Sequence, residues 1–314
     1  MPQLQRRELA DTVSGALTRF PVVALVGPRQ CGKSTLARTL VKPDSEHYFD
    51  LERPDDLRRL SDPMTVLQRL RGTIVLDEVQ RAPELFPVLR VLSDERPLRR
   101  RLLVLGSASP QLLRQSSESL AGRLRVIEMS GFTLDECGRK RTERRWLRGG
   151  FPNSFLAHDD RGAFEWLHAF LRSIAERDLP GEDARLDATA ITRLLAMLAH
   201  YHGKTLNVSA IASSLGINGP TVRRYVDLLT GLFHLRQLQP WTENMAKRQV
   251  RSPKLIYRDS GVFHELLGVR SMAELERHPS LGASWEGFVI EEILAARSTG
   301  VLADLGPSRS AARD

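Results

Sequence analysis

Nine consecutive residues, GPRQCGKST at positions 27–35, carry the side chains with the clearest chemistry in this sequence. They fit the pattern G-x-x-x-x-G-K-[ST], in which two glycines allow a tight turn that points successive backbone N–H groups at a phosphate. The lysine reaches the β- and γ-phosphates, and the hydroxyl after it is a ligand for Mg²⁺. We therefore predict a site for ATP and Mg²⁺ that is built from Gly27, Pro28, Arg29, Gln30, Cys31, Gly32, Lys33, Ser34 and Thr35.

A pair of adjacent carboxylates supplies the second part of this chemistry. Asp77 and Glu78 follow the apolar stretch TIVL, so a buried strand would carry both to the edge of a sheet where ligands bind. Asp77 is predicted to hold Mg²⁺ together with Ser34, and Glu78 to orient or deprotonate the attacking water. Helix-capping carboxylates would give the same pattern, but their pairing with the glycine-rich loop favours a role in hydrolysis.

The predicted catalytic residues are Lys33, Glu78 and two further polar residues. Ser107 ends the apolar stretch LLVLGS, where it could sense the γ-phosphate. Arg123 is a candidate arginine finger, because a guanidinium stabilises the charge that spreads over the equatorial oxygens during phosphoryl transfer. Arg125 competes for that role, and a turn serine and ordinary surface arginines are the alternative interpretations.

The elements that must position these residues alternate along the first 140 positions. Helical spacing over 7–20 precedes an apolar strand, and further helices are expected from Lys33 and over 83–95. Strands are predicted at 22–26, 47–52, 73–80, 100–109 and 123–129. This alternation predicts an α/β fold for residues 1–140: a P-loop NTPase domain whose parallel sheet has helices on both faces.

Helical spacing replaces the strand pattern beyond position 140. A helical domain is predicted at 141–245, and its residues 204–241 have the pattern of a winged helix-turn-helix. We expect Ser209 to cap the first helix of this pair and the second helix to start near Thr221. The expected core positions are Ile211, Leu215, Val222, Tyr225 and Leu229.

The second helix of the pair carries two basic residues on its first turn. A recognition helix presents side chains at this place to the major groove, so Arg223 and Arg224 are candidate contacts to double-stranded DNA. Winged helices also serve as structural lids or as surfaces for a protein client, and this alternative stays open.

Composition narrows the class of protein. The formal net charge is +8, and the stretches at 96–103 and 138–148 are strongly basic, which indicates either a solvated basic face or contact with nucleic acid. No apolar run approaches the length of a membrane span, and the N-terminus lacks the apolar core of a secretory signal. Two cysteines make no disulfide or zinc framework, so we expect a reduced, cytoplasmic protein without a membrane partner.

Five motifs together resemble one family: LVGPRQCGKST, IVLDEVQRAPELFPVLR, LLVLGSASPQLL, SLAGRLRVIEMSGFTLDE and ERDL. Their order and spacing are similar to those of the prokaryotic AAA-type (AAA_14) ATPases whose C-terminal half is a DUF4143 domain. The resemblance runs from the first helix to about residue 295. It implies that Asp77 and Glu78 are the metal-binding and water-activating acids, with Ser107 in the sensor position and Arg123 near the phosphates.

The resemblance also implies a partial nuclease-like segment at 246–296, similar to the PD-(D/E)XK fold. Glu286 and Glu291 lie on its predicted helix, but the strand hairpin that should follow is absent after Ala296. We therefore expect a truncated DUF4143 domain without nuclease activity and a disordered tail at 297–314. The missing hairpin predicts exposed apolar surface around three residues: Phe288, Ile293 and Leu294.

The leading hypothesis is an ATPase whose nucleotide cycle drives a conformational or assembly change in the C-terminal half. The alternative is a nucleotide-gated regulator that binds DNA and turns over little ATP, and a third interpretation is a binding protein that has lost its activity. ATP is favoured over GTP because no Asn/Thr-Lys-x-Asp element for reading guanine is evident. An arginine finger that acts in trans would require a homo-oligomer.

Overall fold

The computed structural model describes residues 6–107, 120–179, 186–240 and 252–298. Its larger sheet consists of five strands: β1 (Val22–Gly27), β2 (Tyr48–Asp50), β3 (Gly72–Asp77), β4 (Arg100–Ser107) and β5 (Leu124–Glu128). They lie in the order β2-β3-β4-β1-β5, and every neighbouring pair is parallel. The prediction of a parallel α/β sheet is confirmed.

Helices cover both faces of this sheet. They are α1 (Arg7–Arg19), α2 (Lys33–Leu40), α3 (Pro54–Arg59), α4 (Pro63–Arg69) and α5 (Leu85–Asp94). All six residues of β1 are buried, as expected for a parallel strand packed on both sides. Alternate side chains separate the two faces: Val23 and Leu25 belong to the core that includes α1 and α2, whereas Val22 belongs to the core that includes α5.

Strand β3 is shorter than predicted. It ends at Asp77, because Glu78 adopts the left-handed region with φ of 56°, and residues Val79–Arg81 form a 3₁₀ turn instead of strand. Strand β4 ends at Ser107, so the last two predicted strand residues lie outside the described part of the chain.

The C-terminal half is mainly helical. Its helices are α6 (Leu134–Cys137), α7 (Thr142–Arg148), α8 (Pro152–Phe155), α9 (Asp160–Ser173), α10 (Ala188–Ala199), α11 (Val208–Leu215), α12 (Gly219–Gly231), α13 (Ser260–Leu267), α14 (Met272–Arg277) and α15 (Leu281–Ser298). A π-helical turn, Ile174–Asp178, follows α9 directly. Residues 299–314, which include most of the predicted tail, lie outside the described residues.

A second, antiparallel sheet has the order β6-β8-β7, with β6 at Lys204–Thr205, β7 at Leu235–Leu238 and β8 at Lys254–Tyr257. Strands β7 and β8 pair across the boundary predicted near residue 246. The sheet therefore joins the predicted helical domain to the segment after it.

The helix pair α11 and α12 begins with two asparagine caps. Asn207 Oδ1 accepts from Ala210 N at 3.0 Å, and Asn218 Oδ1 accepts from Thr221 N at 2.8 Å. The predicted cap at Ser209 is therefore wrong, since Ser209 already lies inside α11. Four of the predicted core positions are buried: Ile211, Val222, Tyr225 and Leu229. The fifth, Leu215, is half-buried and packs against the same core.

One continuous core joins the two halves of the chain. Val23 and Leu25 of β1 belong to the same buried cluster as Leu167 of α9 and Val222 of α12. On the opposite face of β1, Ala24 and Val26 contact Phe233, from the turn that follows α12. The strand that leads into the glycine-rich loop therefore shares a core with the C-terminal half on one face and contacts Phe233 of that half on the other.

Helix α15 carries the acids that the nuclease resemblance singled out, and both are in ion pairs. Glu286 pairs with Lys254, and Glu291 pairs with Arg236 and Arg258. The described residues contain no group of three or more His, Cys, Asp or Glu side chains that could hold a metal ion.

The predicted apolar surface on α15 is only partly correct. Ile293 is 50% exposed, which confirms that prediction, and Leu294 is half-buried. The prediction for Phe288 is wrong: it is 5% exposed because its ring packs against the rings of Trp146 and Trp285.

Candidate functional site

The strand order brings the predicted nucleotide residues to one edge of the larger sheet. Strand β4 lies between β1 and β3, so the carboxyl ends of all three strands are neighbours. The loop after Gly27, the end of β4 at Ser107 and the end of β3 at Asp77 meet there, with Gly27 directly opposite Ser107 in the register. Ligands of open parallel sheets bind at this edge.

The loop between β1 and α2 turns through two left-handed residues. Gln30 has φ of 60° and Gly32 has φ of 103°, and Gly32 is the N-cap of α2. Gly27 leaves no room for a side chain, because a Cβ atom there would lie 2.0 Å from the carbonyl oxygen of Met129. Loop and helix together therefore form a short turn with unpaired N–H groups at the helix start, which is an anion-binding geometry.

Lys33 is folded over this loop. It is 5% exposed, and its Nζ atom donates to Gly27 O at 3.0 Å and to Pro28 O at 2.8 Å. An ammonium has three donors and carries a compact positive charge. The contacts hold that charge directly above the loop.

The other loop residues differ in their exposure. Ser34 is half-buried and Thr35 is exposed, both in the first turn of α2. The Cys31 side chain is buried, and its Sγ donates to Met129 O at 3.6 Å. Its side chain therefore ties the loop to the segment after β5 and does not face solvent.

The carboxylate of Asp77 is buried and fixed by two hydrogen bonds. It is 3% exposed, its Oδ2 accepts from the Tyr48 hydroxyl at 2.7 Å, and its Oδ1 accepts from Glu78 N at 3.0 Å. Burial and the neighbouring Asp77 charge raise the pKa of Tyr48, so its phenol stays protonated and keeps donating. The sequence did not predict Tyr48, although the pairing of β2 with β3 could have placed it next to the acid.

Glu78 combines strained backbone with a perturbed carboxyl. Its φ of 56° lies in the left-handed region, which a non-glycine residue seldom adopts and which is found at functional sites. Burial raises the pKa of Glu78, while a hydrogen bond from the Gln80 amide and the charge of Lys33 oppose the rise. The charge of Lys33, at the start of α2, therefore acts on the Glu78 carboxyl.

Ser107 lies at the end of β4, opposite Gly27 of β1. Arg123 lies elsewhere. It precedes β5, its carbonyl accepts from Val22 N at 3.2 Å, and its guanidinium forms a bidentate pair with Asp94 at 2.6 and 2.9 Å.

The predicted position of Arg123 near the phosphates of its own chain is therefore wrong. Val22 is the first residue of β1, whereas the nucleotide loop follows the last. Arg125, the competing candidate, is exposed on β5 opposite Val23 and also lies towards that amino edge.

Three contacts bring the C-terminal half to the site, and the sequence predicted none of them. Arg29 pairs with Asp178 at 2.9 Å. Phe233, with φ of 62°, packs on β1, and the guanidinium of Arg258 lies 4.9 Å from the centre of its ring. These residues are far apart in sequence, so no local pattern could have linked them.

A partly buried ion-pair network extends these contacts from the end of β5 to α15. Arg258 pairs with Glu128 and, at 3.1 Å, with Glu291; Arg236 pairs with the same two carboxylates. The network lines a cavity of about 30 Å³ that also touches Pro28 of the loop. A space of this size holds about one water molecule.

Arg223 and Arg224 are both exposed near the start of α12. They lie on a helix of the C-terminal half. Among the described helices, none is long and apolar enough to cross a membrane.

Comparison with known proteins identifies two family models and a similar fold. Residues 19–138 match the family model of an AAA domain (AAA_14), and residues 139–273 match a domain of unknown function, DUF8612. The fold is similar to that of the Walker-type ATPase PABY2304 of Pyrococcus abyssi, with a TM-score of 0.58, 15% identity, and coverage of 84% of this chain and 96% of that one. These matches support a P-loop ATPase of the AAA type. The second match differs from the predicted DUF4143 domain.

Two mycobacterial relatives are similar over most of the chain. The uncharacterized proteins Mb2031c of Mycobacterium bovis and Rv2008c of Mycobacterium tuberculosis are each 48% identical over 292 residues. The match covers 93% of this chain and 66% of each relative. The chain therefore spans about two thirds of the length of these relatives.

Proposed function

We propose that the chain binds ATP with Mg²⁺ at the carboxyl edge of β1, β4 and β3 and hydrolyses it. One observation carries this proposal: the start of α2 with Lys33 and the end of β3 with Asp77 and the following Glu78 lie at the same edge of the sheet, where the charge of Lys33 acts on the Glu78 carboxyl. A triphosphate site needs a cation for the phosphates, an acid for the metal and a second acid for water, and this edge supplies all three.

The glycine-rich loop binds the phosphates. Its backbone N–H groups and the start of α2 stabilise negative charge, and Lys33 adds a full positive charge over the loop. Thr35 is exposed on the first turn of α2, where its hydroxyl is available to the α-phosphate. On triphosphate binding, Lys33 would exchange its loop carbonyls for phosphate oxygens.

The donor set fits Mg²⁺. Ser34 offers a hydroxyl and Asp77 a buried carboxylate, which are the hard oxygen ligands that this ion prefers. Bound Mg²⁺ would neutralise charge on the β- and γ-phosphates. Tyr48 and the Glu78 N–H orient the Asp77 carboxylate through their hydrogen bonds.

Glu78 acts on the water. Its raised pKa gives the carboxylate more affinity for a proton than an exposed glutamate has, which suits a group that orients and deprotonates water. Gln80 donates to the Glu78 carboxylate and limits its orientation. Ser107, at the end of β4, would contact the γ-phosphate, and Arg123 has no place in this mechanism within a single chain because it lies at the other edge of the sheet.

The test is Mg²⁺-dependent ATP hydrolysis by the purified chain and by three variants. Lys33→Ala should lose ATP binding and turnover, and Glu78→Gln should keep ATP binding while turnover falls by about 10²- to 10⁴-fold. Glu84→Gln is the matched control, since Glu84 is an exposed acid six residues further along the chain and should behave as wild type. Wild-type turnover in Glu78→Gln would contradict the assignment of the base.

A second candidate function is a nucleotide-gated regulator that binds duplex DNA. Helices α11 and α12 are followed by β7 and β8, which pair with each other, and β8 also pairs with β6; this order is typical of a winged helix-turn-helix. Arg223 and Arg224 are exposed near the start of the second helix.

This second proposal predicts salt-dependent binding of duplex DNA that changes when ATP is added. Arg223→Ala combined with Arg224→Ala should weaken DNA binding and reduce its salt dependence. If the wild-type chain binds ATP without turnover but binds DNA in this manner, the regulator replaces the ATPase as the proposed function. If it shows no affinity for DNA at low salt, this second proposal is wrong.

A further inference from the structure

An ion pair links the glycine-rich loop directly to the π-helical turn that follows α9. Arg29 Nη1 lies 2.9 Å from Asp178 Oδ1. The Asp178 side chain is 9% exposed, whereas the Arg29 side chain is 38% exposed. The carboxylate is therefore the fixed member of the pair, and the guanidinium is the member that can change partner.

An uncommon backbone turn fixes Asp178. It is the last residue of the π-helical turn, in which Leu179 N donates to Ile174 O at 3.1 Å. Ile174, Ala175 and Leu179 are buried in the core shared with β1. Single π turns are rare in proteins, and those that occur are often found at functional sites. The core therefore holds the carboxylate against the loop.

The electrostatics of the pair oppose the binding of an anion. Burial raises the pKa of Asp178, and the charges of Arg29 and Arg177 act against this rise. A triphosphate in the loop would bring several negative charges towards the same carboxylate. At the same time, Arg29 is the third residue of the predicted phosphate-binding loop, and its forked guanidinium matches phosphate oxygens.

We propose that Asp178 is a positioning residue of the nucleotide site, which retains Arg29 in the empty loop and releases the guanidinium to the phosphates when a triphosphate binds. This inference rests on the proposed function, since it assumes that the loop binds ATP. Release of Arg29 leaves Asp178 without its partner at the end of α9. Nucleotide occupancy thereby reaches the C-terminal half through a contact made by one side chain of the loop.

The dissociation constant for ATP in the wild type and in Asp178→Asn tests the proposal. Asparagine keeps the size of the side chain and removes its charge, so Arg29 becomes available and ATP should bind about five- to tenfold more tightly. Glu176→Gln is the matched control, because Glu176 lies in the same π turn but pairs with Arg172 at the surface. This control should bind ATP as the wild type does.

The double-mutant cycle with Arg29→Ala separates release of Arg29 from simple charge repulsion. If Asp178 acts by retaining Arg29, the gain from Asp178→Asn should be smaller when Arg29 is absent. An equal or larger gain in the Arg29→Ala background overturns the proposal, and so does unchanged or weaker ATP binding by Asp178→Asn alone. Thermal unfolding of each variant establishes that it is folded.

Hydrogen exchange gives a readout that does not depend on turnover. By reciprocity, ATP should speed amide exchange over 174–179 in the wild type, and Asp178→Asn should show fast exchange there without ATP. Lys33→Ala distinguishes an error in the proposed ATP site from an error in the role of Asp178. If it binds ATP as well as the wild type, the proposed site is wrong; if it fails to bind while Asp178→Asn matches the wild type, only the present inference fails.

Discussion

Substitution of Gly27 by alanine tests how the glycine-rich loop is joined to the sheet. A Cβ atom on this residue would lie 2.0 Å from the carbonyl oxygen and 3.1 Å from the carbonyl carbon of Met129. Both are backbone atoms, so no change of side-chain rotamer can relieve the clash. A carbon and an oxygen in close contact stay about 3.3 Å apart, so β1 or the segment after β5 must move by more than about 1 Å.

The loss of folding free energy depends on the contacts that this movement strains. Val26 O accepts from Met129 N at 2.8 Å, and this bond joins the two segments next to the clash. Overpacking costs about 1–3 kcal/mol and a strained hydrogen bond about 1 kcal/mol. We therefore expect Gly27→Ala to lower the free energy of unfolding by about 2–4 kcal/mol, which for a chain of this length corresponds to a Tm lower by about 3–6 °C.

Thermal unfolding measured by circular dichroism checks this value, with Gly15→Ala as the control. Gly15 lies in α1, and a Cβ atom there would meet no atom within 4 Å. Alanine in a helix interior is favoured over glycine by up to about 1 kcal/mol, so the control should melt at or slightly above the wild-type temperature. If Gly27→Ala melts within about 1 °C of the wild type, the close approach of the two backbones is refuted.

Two further predictions concern buried groups. Burial lowers the pKa of three imidazoles to about 4: His202, His234 and His264. Because the unfolded chain binds these protons below about pH 6.5, the free energy of unfolding should fall between pH 6.5 and 4 by up to about 1.4 kcal/mol per pH unit for each imidazole. Denaturant unfolding at pH 7, 5.5 and 4.5 measures this, and a flat profile would contradict it. Tyr48→Phe removes the donor to the charged Asp77 and should cost about 1.5–3 kcal/mol in the same assay. Tyr257→Phe loses a bond to the neutral carbonyl of Leu195 and should cost less, so equal losses would count against a charged Asp77.

The type and order of the elements that carry the candidate nucleotide site could be predicted from the sequence. The apolar run at 22–26 and the run that ends at Asp77 are continuous because both faces of a parallel strand are buried, so their type and order were predictable. The predicted end of β3 was wrong because the chain turns at Glu78, which adopts a left-handed conformation. Glutamate seldom adopts this conformation, so the residue type did not predict a turn there.

The misplacement of Arg123 has a general physical reason. A residue directly before a parallel strand lies at the amino edge of the sheet, whereas ligands bind at the carboxyl edge. Strand direction alone was therefore enough to exclude Arg123 from the nucleotide site of its own chain. The partners of Arg29 and of Glu128 are a different case, because they come from the C-terminal half and depend on tertiary packing that no local pattern encodes.

The packing of β1 explains why the loop and the C-terminal half cannot be independent. Val23 and Leu25 share a core with helices of that half, and Phe233 packs on Ala24 and Val26 from the other face. Protein interiors are close-packed, so a displacement of β1 is felt on both sides of the sheet. Glu128, at the end of the neighbouring β5, is held by arginines from β7 and from the end of β8. A movement of the loop would therefore act on the C-terminal half through apolar packing as well as through charge, and the Arg29–Asp178 pair is a direct contact between the loop and that half.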